Sequence, residues 1–107
     1  MNWKIEFFSD MVEEQTLAFP KGILADFLRV VELIEEFGPV IGRPHTAPFS
    51  KGLFEIRAKG REGIGRSIFC SVRDRKLIIL HSFIKKTQKI PQKEMDKALK
   101  RMKEITK

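Results

Sequence analysis

The sequence predicts an α+β domain: an N-terminal strand and a helical hairpin packed on a small curved antiparallel sheet, with a C-terminal helix. Three observations carry this reading. Apolar residues recur at helical spacing before residue 40, three short β-rich runs follow each other closely between Leu53 and Ile84, and an amphipathic stretch follows Pro91. The 107 residues suit one domain, 1–107. A chain of that length buries roughly 65% of its unfolded surface, enough for one modest core. With 42% apolar and 33% charged residues the composition is that of a folded chain.

The elements follow in order. Trp3–Phe8 (WKIEFF) is a short β-rich run. Ser9 and Asp10 are helix-capping types, and a short helix to about Phe19 carries Asp10, Glu13 and Glu14 in its first turns. Pro20-Lys21-Gly22 reads as a break. Leu24 to Phe37 is the clearest helix, with Leu24, Phe27, Leu28, Val31, Leu33, Ile34 and Phe37 near helical spacing and Gly38-Pro39 as its stop. Val40 to Lys51 lacks periodicity and reads as a loop carrying Arg43 and His45. Leu53–Lys59 alternates, with Phe54, Ile56 and Ala58 on one face and Glu55, Arg57 and Lys59 on the other. Gly60–Gly65 (GREGIG) is a hairpin turn with room for a bulge. Arg66–Val72 and Leu77–Ile84 complete a meander around the polar turn at residues 73–76. Pro91 opens the last helix, whose apolar stripe is Met95, Ala98, Leu99, Met102 and Ile105.

Several chemistries lack their residues. There is no CxxC, HExxH or Asp-rich loop for a metal, and no glycine-rich phosphate loop. The single cysteine, Cys70, sits in an apolar strand and reads as a buried structural thiol. There is no tyrosine. No stretch approaches the ~18 apolar residues of a membrane span. The start MNWKIEFFSD does not have the form of a signal peptide, so a soluble, cytoplasmic protein without cofactor is expected.

Charge is divided along the chain. Residues 1–40 hold three Lys/Arg against eight acids, a balance of −5, whereas residues 41–107 hold eighteen against six, a balance of +12. A basic half of this kind suits a polyanion, and nucleic acid is the commonest one in cells. The candidate cations lie on strands: Arg57 on the polar face of one strand, Arg66 opening its partner, and His81, Lys85 and Lys86 on and after the third. Convergent cations bind a phosphodiester and stabilise its transition state. RNA supplies its own nucleophile in the 2′-OH, so such a site needs no metal, only positioning and proton transfer. Lys59, Arg61 and Lys89 are further cations placed to follow an RNA backbone, and Phe83 is placed to stack on a base or to pack. Each residue also has a plain structural reading: a cross-strand ion pair for Arg57, an edge charge for Arg66, a satisfied strand histidine for His81, and a solvated run for Lys85 and Lys86.

The segments KGLFEIRAKG, GIGRSIFCSV and KLIILHSFIKKTQKIPQKEMDKALKRM resemble the phage-derived HigB branch of the RelE superfamily, the toxins of type II toxin–antitoxin systems. The matching pattern is Gly52-Leu53-Phe54-Glu55-Ile56-Arg57, then Arg66, then His81-Ser82-Phe83-Ile84-Lys85-Lys86-Thr87. The resemblance runs from about Lys51 to the C-terminus. It implies cleavage of mRNA, usually on the ribosome, and neutralisation by a cognate helix-turn-helix antitoxin. Carried over, Arg57 and Arg66 would bind and polarise the scissile phosphate, and Lys85 and Lys86 would contact RNA or assist proton transfer. The chain departs from the family at Ser82, where a small residue or glycine is usual, and at Ile90, where a threonine often caps the last helix. The tyrosine that some relatives use has no counterpart. Two alternatives share the fold: a toxin that binds a protein target such as DNA gyrase, and an inactive RNA-binding remnant.

Overall fold

The computed structural model describes residues 2–48, 51–85 and 90–105. In chain order the elements are β1 (Lys4–Phe7), α1 (Asp10–Leu17), α2 (Lys21–Phe37), a 3-10 turn (Pro39–Ile41), β2 (Thr46–Pro48), β3 (Leu53–Gly60), β4 (Gly63–Val72), β5 (Lys76–Lys85) and α3 (Gln92–Ile105). One five-stranded sheet runs β1-β5-β4-β3-β2. The meander β3-β4-β5 is antiparallel, as its short connections require. β1 lies parallel to β5 because the helical hairpin and three strands separate the two in sequence. The stretch expected as a loop after Val40 contains β2, an edge strand pairing Thr46 with Ile56. Three residues with a proline among them carry too little alternation to reveal a strand.

The helices fall on opposite faces. α1 and α2 cover one face with Val12, Ile23, Phe27, Val30 and Ile34, packed on Ile56, Ala58, Phe69, Leu77 and Ile79. α3 covers part of the other, where Ala98 packs with Leu53, Ile68, Cys70, Ile78 and Leu80, and Met95, Leu99, Met102 and Ile90 join them. Ile90 thus contributes apolar contact just ahead of α3. Burial of Cys70 pushes its thiol pKa up, consistent with an inert structural role.

α2 begins at Lys21, three residues earlier than its apolar pattern suggests, because the turn expected to break the chain is its first turn. Pro20 occupies the cap position without a side-chain cap bond. The missing acceptor comes from the β3-β4 turn: Gly22 N–H donates to Glu62 Oε2 at 3.0 Å. That bond holds the exposed Glu62 carboxyl below its ordinary pKa. Gly60 permits the contact, since a Cβ there would stand 2.5 Å from the Ile23 backbone nitrogen. The buried stripe of α2 is Ile23, Phe27, Val30 and Ile34, so Leu28 and Phe37 face outward, 47% and 60% exposed. Ser82 closes a buried hydroxyl chain, 2.7 Å from Thr16 Oγ1 and 2.8 Å from Ser67 Oγ, which ties α1 to the sheet.

One bulge decides which face carries the end of β5. Ile68 pairs with His81 but Phe69 pairs with Ile79, leaving Leu80 as the extra residue. Without it, strict alternation would put His81 and Phe83 with Leu77 and Ile79, under α2. With it, they face α3. The bulge lies here, not at the Gly60–Gly65 hairpin, where Gly60 pairs directly with Gly63.

Candidate functional site

Three cross-strand rows form the α3 face at one end of the sheet. Glu55, Ile68 and His81 make one row, Arg57, Arg66 and Phe83 the next, and Lys59, Ile64 and Lys85 the last. The expected convergence of Arg57, Arg66 and the end of β5 is therefore met at the level of backbone register. Like charges directly opposite each other on a sheet are unfavourable. Arg57 and Arg66 stand opposite nonetheless.

Glu55 offsets part of that repulsion. Its Oε2 lies 3.1 Å from Arg66 Nη1, with side chains 5% and 6% exposed. The ion pair thus joins Glu55 to Arg66 on the neighbouring strand, and not to Arg57 as a plain structural reading would have it. Burial lowers the Arg66 pKa, Glu55 works the other way, and the charges of Arg57 and Arg43 lower it further. A guanidinium stays protonated in any case. Arg57 is half-buried, and its Nε is enclosed without a hydrogen-bond partner among the described residues.

His81 anchors α3 beside this patch. It is buried, and its Nε2–H donates to Glu94 Oε1 at 2.7 Å. Arg101 Nη1 donates to the Leu80 carbonyl at 2.7 Å and lies 3.4 Å from His81 Nδ1. Arginine only donates, so Nδ1 is the acceptor and the ring is neutral. Phe83 stacks on the same ring, centroids 5.6 Å apart at 24°. The Arg101 guanidinium also sits over Phe8, 5.6 Å from its centroid.

Burial lowers the His81 pKa below its ordinary 6.5; Glu94 offsets part of this, while Arg101 and Lys97 add to it. The unfolded chain therefore takes up a proton that the native state refuses. Stability from this site is complete above pH 6.5 and is lost as the pH falls below it. Urea midpoints should drop between about pH 7 and 5, and His81→Gln should flatten the drop. Equal pH slopes in the two proteins would remove His81 from that role.

The remaining cations are placed as follows. Lys59 is exposed, and its backbone N–H donates to Asp26 Oδ2 at 2.8 Å. Arg61 is exposed at the tip of the β3-β4 turn. Lys85 ends β5, and only its backbone is described. Lys86 and Lys89 lie outside the described residues. Arg43 is exposed in the turn before β2, a stretch without periodicity. Its only signal there was charge. Among the described residues no group of three His, Cys, Asp or Glu could hold a metal ion, and no helix is long and apolar enough to cross a membrane.

The model of the family "Phage derived protein Gp49-like (DUF891)" matches residues 14–103, most of the chain. The chain belongs to this family. The Gp49-like chain also has the fold of RelE. A mutant of E. coli toxin RelE in the free state aligns with a TM-score of 0.68 at 9% identity, over 95% of this chain and 99% of that one. The archaeal RelE of the RelE–RelB complex from Pyrococcus horikoshii OT3 aligns with a TM-score of 0.56 at 22% identity, over 78% of the Gp49-like chain and 96% of that one. No curated protein matches. Identities this low speak for a common fold, so what the face of Arg57 and Arg66 does must be argued from its own residues.

Proposed function

We propose that this protein is the toxin of a type II toxin–antitoxin pair of the HigB kind, a metal-independent endoribonuclease that cuts mRNA on the ribosome. The observation that carries the reading is the opposed pair Arg57 and Arg66 on one sheet face. Two guanidiniums held against their own repulsion suit a group with more than one anionic oxygen, and a phosphodiester passing through its transition state is such a group. The RNA 2′-oxygen attacks phosphorus, the bond to the 5′-oxygen breaks, and the products end in a 2′,3′-cyclic phosphate and a 5′-hydroxyl. The 2′-OH proton passes to a basic group and the leaving oxygen takes one up.

Arg57 and Arg66 hold the phosphate and its developing charge. Lys85 and Lys86 are assigned to RNA contact and proton transfer. Phe83 offers a stacking face for a base, and Lys59, Arg61 and Lys89 extend the cationic track. His81 acts on the site by fixing Phe83 and α3 at its border. The protein works in the cytoplasm, where translation takes place. Its antitoxin carries a helix-turn-helix domain and covers the basic face with an acidic segment. The archaeal relative, solved in complex with RelB, supports a protein partner, with no bearing on that partner's own fold.

The test is induction of the protein in cells, followed by mapping of RNA 5′-hydroxyl ends and by purified reactions with and without programmed ribosomes. Growth arrest with new cuts in translated mRNA is expected. Arrest with intact transcripts and damaged DNA would overturn the reading in favour of a gyrase-type toxin; harmless expression would mark an inactive remnant.

A further inference from the structure

We propose that the turn Gly42–Thr46 builds a second phosphate subsite, in which Arg43 holds the RNA phosphodiester next to the one held by Arg57 and Arg66. The proposal rests on the endoribonuclease reading and adds to it a binding group and a minimum substrate length.

The turn is built, not merely exposed. Gly42 takes a φ of +77°, a conformation that suits glycine. Its carbonyl accepts from the N–H groups of His45 at 3.1 Å and Thr46 at 3.0 Å. Its own N–H donates to Thr46 Oγ1 at 3.0 Å, and that hydroxyl donates to the Pro39 carbonyl at 3.1 Å. Thr46 is 2% exposed, so the pin lies inside the protein. The far end of the turn is fixed to the arginine strand itself: Arg57 N–H donates to the His45 carbonyl at 2.9 Å. Arg43 stands between these two anchors and is exposed.

Its charge is felt within the patch. Arg43 acts on Arg66 in the same sense as Arg57 does. Of the charges that act on Arg66, Glu55 is the anion, and Arg57 and Arg43 are both cations. No ion pair among the described residues engages Arg43 itself. A fold gains nothing by setting cations beside one another, whereas a chain of phosphates is bound by them. β2 lies one strand spacing, ~4.8 Å, beyond β3. The turn that leads into it, carrying Arg43 three residues before Thr46, is therefore displaced sideways from Arg57 and Arg66, where the backbone of a single strand would carry its neighbouring phosphate.

The test uses the full chain and 2′-O-methyl RNA oligonucleotides, which bind but offer no nucleophile. Affinity is measured across salt concentration for the wild type, Arg43→Ala and Arg43→Lys, with thermal unfolding confirming that each variant folds. Arg43→Ala should reduce the log–log salt slope by about 0.7, the value for one lost contact to a single strand. Arg43→Lys should keep it. The Arg43→Ala effect should appear with a trinucleotide, which has two phosphodiesters, and vanish with a dinucleotide, which has one. An unchanged slope in Arg43→Ala, beside wild-type RNA binding and cleavage, would overturn the subsite and leave the endoribonuclease reading standing. A wild type that binds no RNA would overturn both.

Discussion

Replacing Arg66 by alanine is expected to slow mRNA cleavage by about 100- to 1000-fold, the usual cost of losing one preorganised charge-stabilising donor. Growth arrest should disappear with it. The variant raises a second effect that must be separated from the first. Arg66 and Glu55 form a buried pair at 3.1 Å, and removing one partner takes that ion pair from a buried charge. Breaking a pair of that kind costs about 3–5 kcal/mol, a large part of the stability of a small domain. Loss of activity in Arg66→Ala alone could therefore report unfolding. The double variant Glu55→Leu/Arg66→Met replaces the pair by apolar side chains of similar volume, which is often neutral for stability. It should unfold close to the wild-type urea midpoint and still fail to cut RNA. A double variant that is stable and cleaves normally would remove Arg66 from the chemistry.

The largest purely structural effect is expected at Phe69. It is wholly buried at the centre of β4 and stacks on Phe54, ring centroids 5.5 Å apart at 17°. Ile56, Leu77, Ile79 and the inner stripe of α2 belong to the same core. Phe69→Ala removes the transfer free energy of the ring and leaves a cavity that a sheet flanked by helices closes poorly, at a cost of about 3–5 kcal/mol. The urea midpoint should fall with the m-value unchanged. A loss under about 1 kcal/mol would mean that the core collapses around the gap more readily than this packing implies. Phe69 also adjoins the register shift. Residual cleavage by the folded fraction would show whether the bulge survives without the ring that backs it.

The order and type of the main elements were legible in the sequence, because period and punctuation are local. β3 alternates with Glu55, Arg57 and Lys59 on one face, and α3 follows Pro91 with its stripe turned to the sheet, Ala98 buried and Met95, Leu99 and Met102 partly so, whereas Ile105 at its end stays exposed. Three features were not legible. β2 is too short and too proline-rich to alternate visibly. The start of α2 depends on Glu62, forty residues away in sequence. The inner stripe of α2 could not be told from the helix alone, since Leu28 and Phe37 are as apolar as the residues it buries.

The candidate site divides in the same way. Its residue types, two arginines on adjacent strands followed by histidine, phenylalanine and lysines, are written in the chain, and their resemblance to the RelE-type pattern agrees with the family and the fold found. The sequence by itself determined the cationic half, the strand carrying Arg57 and the helix that closes the fold, because composition and periodicity act residue by residue. Tertiary contacts decide that Arg57 opposes Arg66, that Glu55 pairs with Arg66, that the bulge at Leu80 turns His81 and Phe83 toward α3, and that the turn carrying Arg43 is tied to the backbone of Arg57. Register, bulges and through-space charge depend on which strands meet, and a one-residue shift in that meeting moves every side chain beyond it to the opposite face.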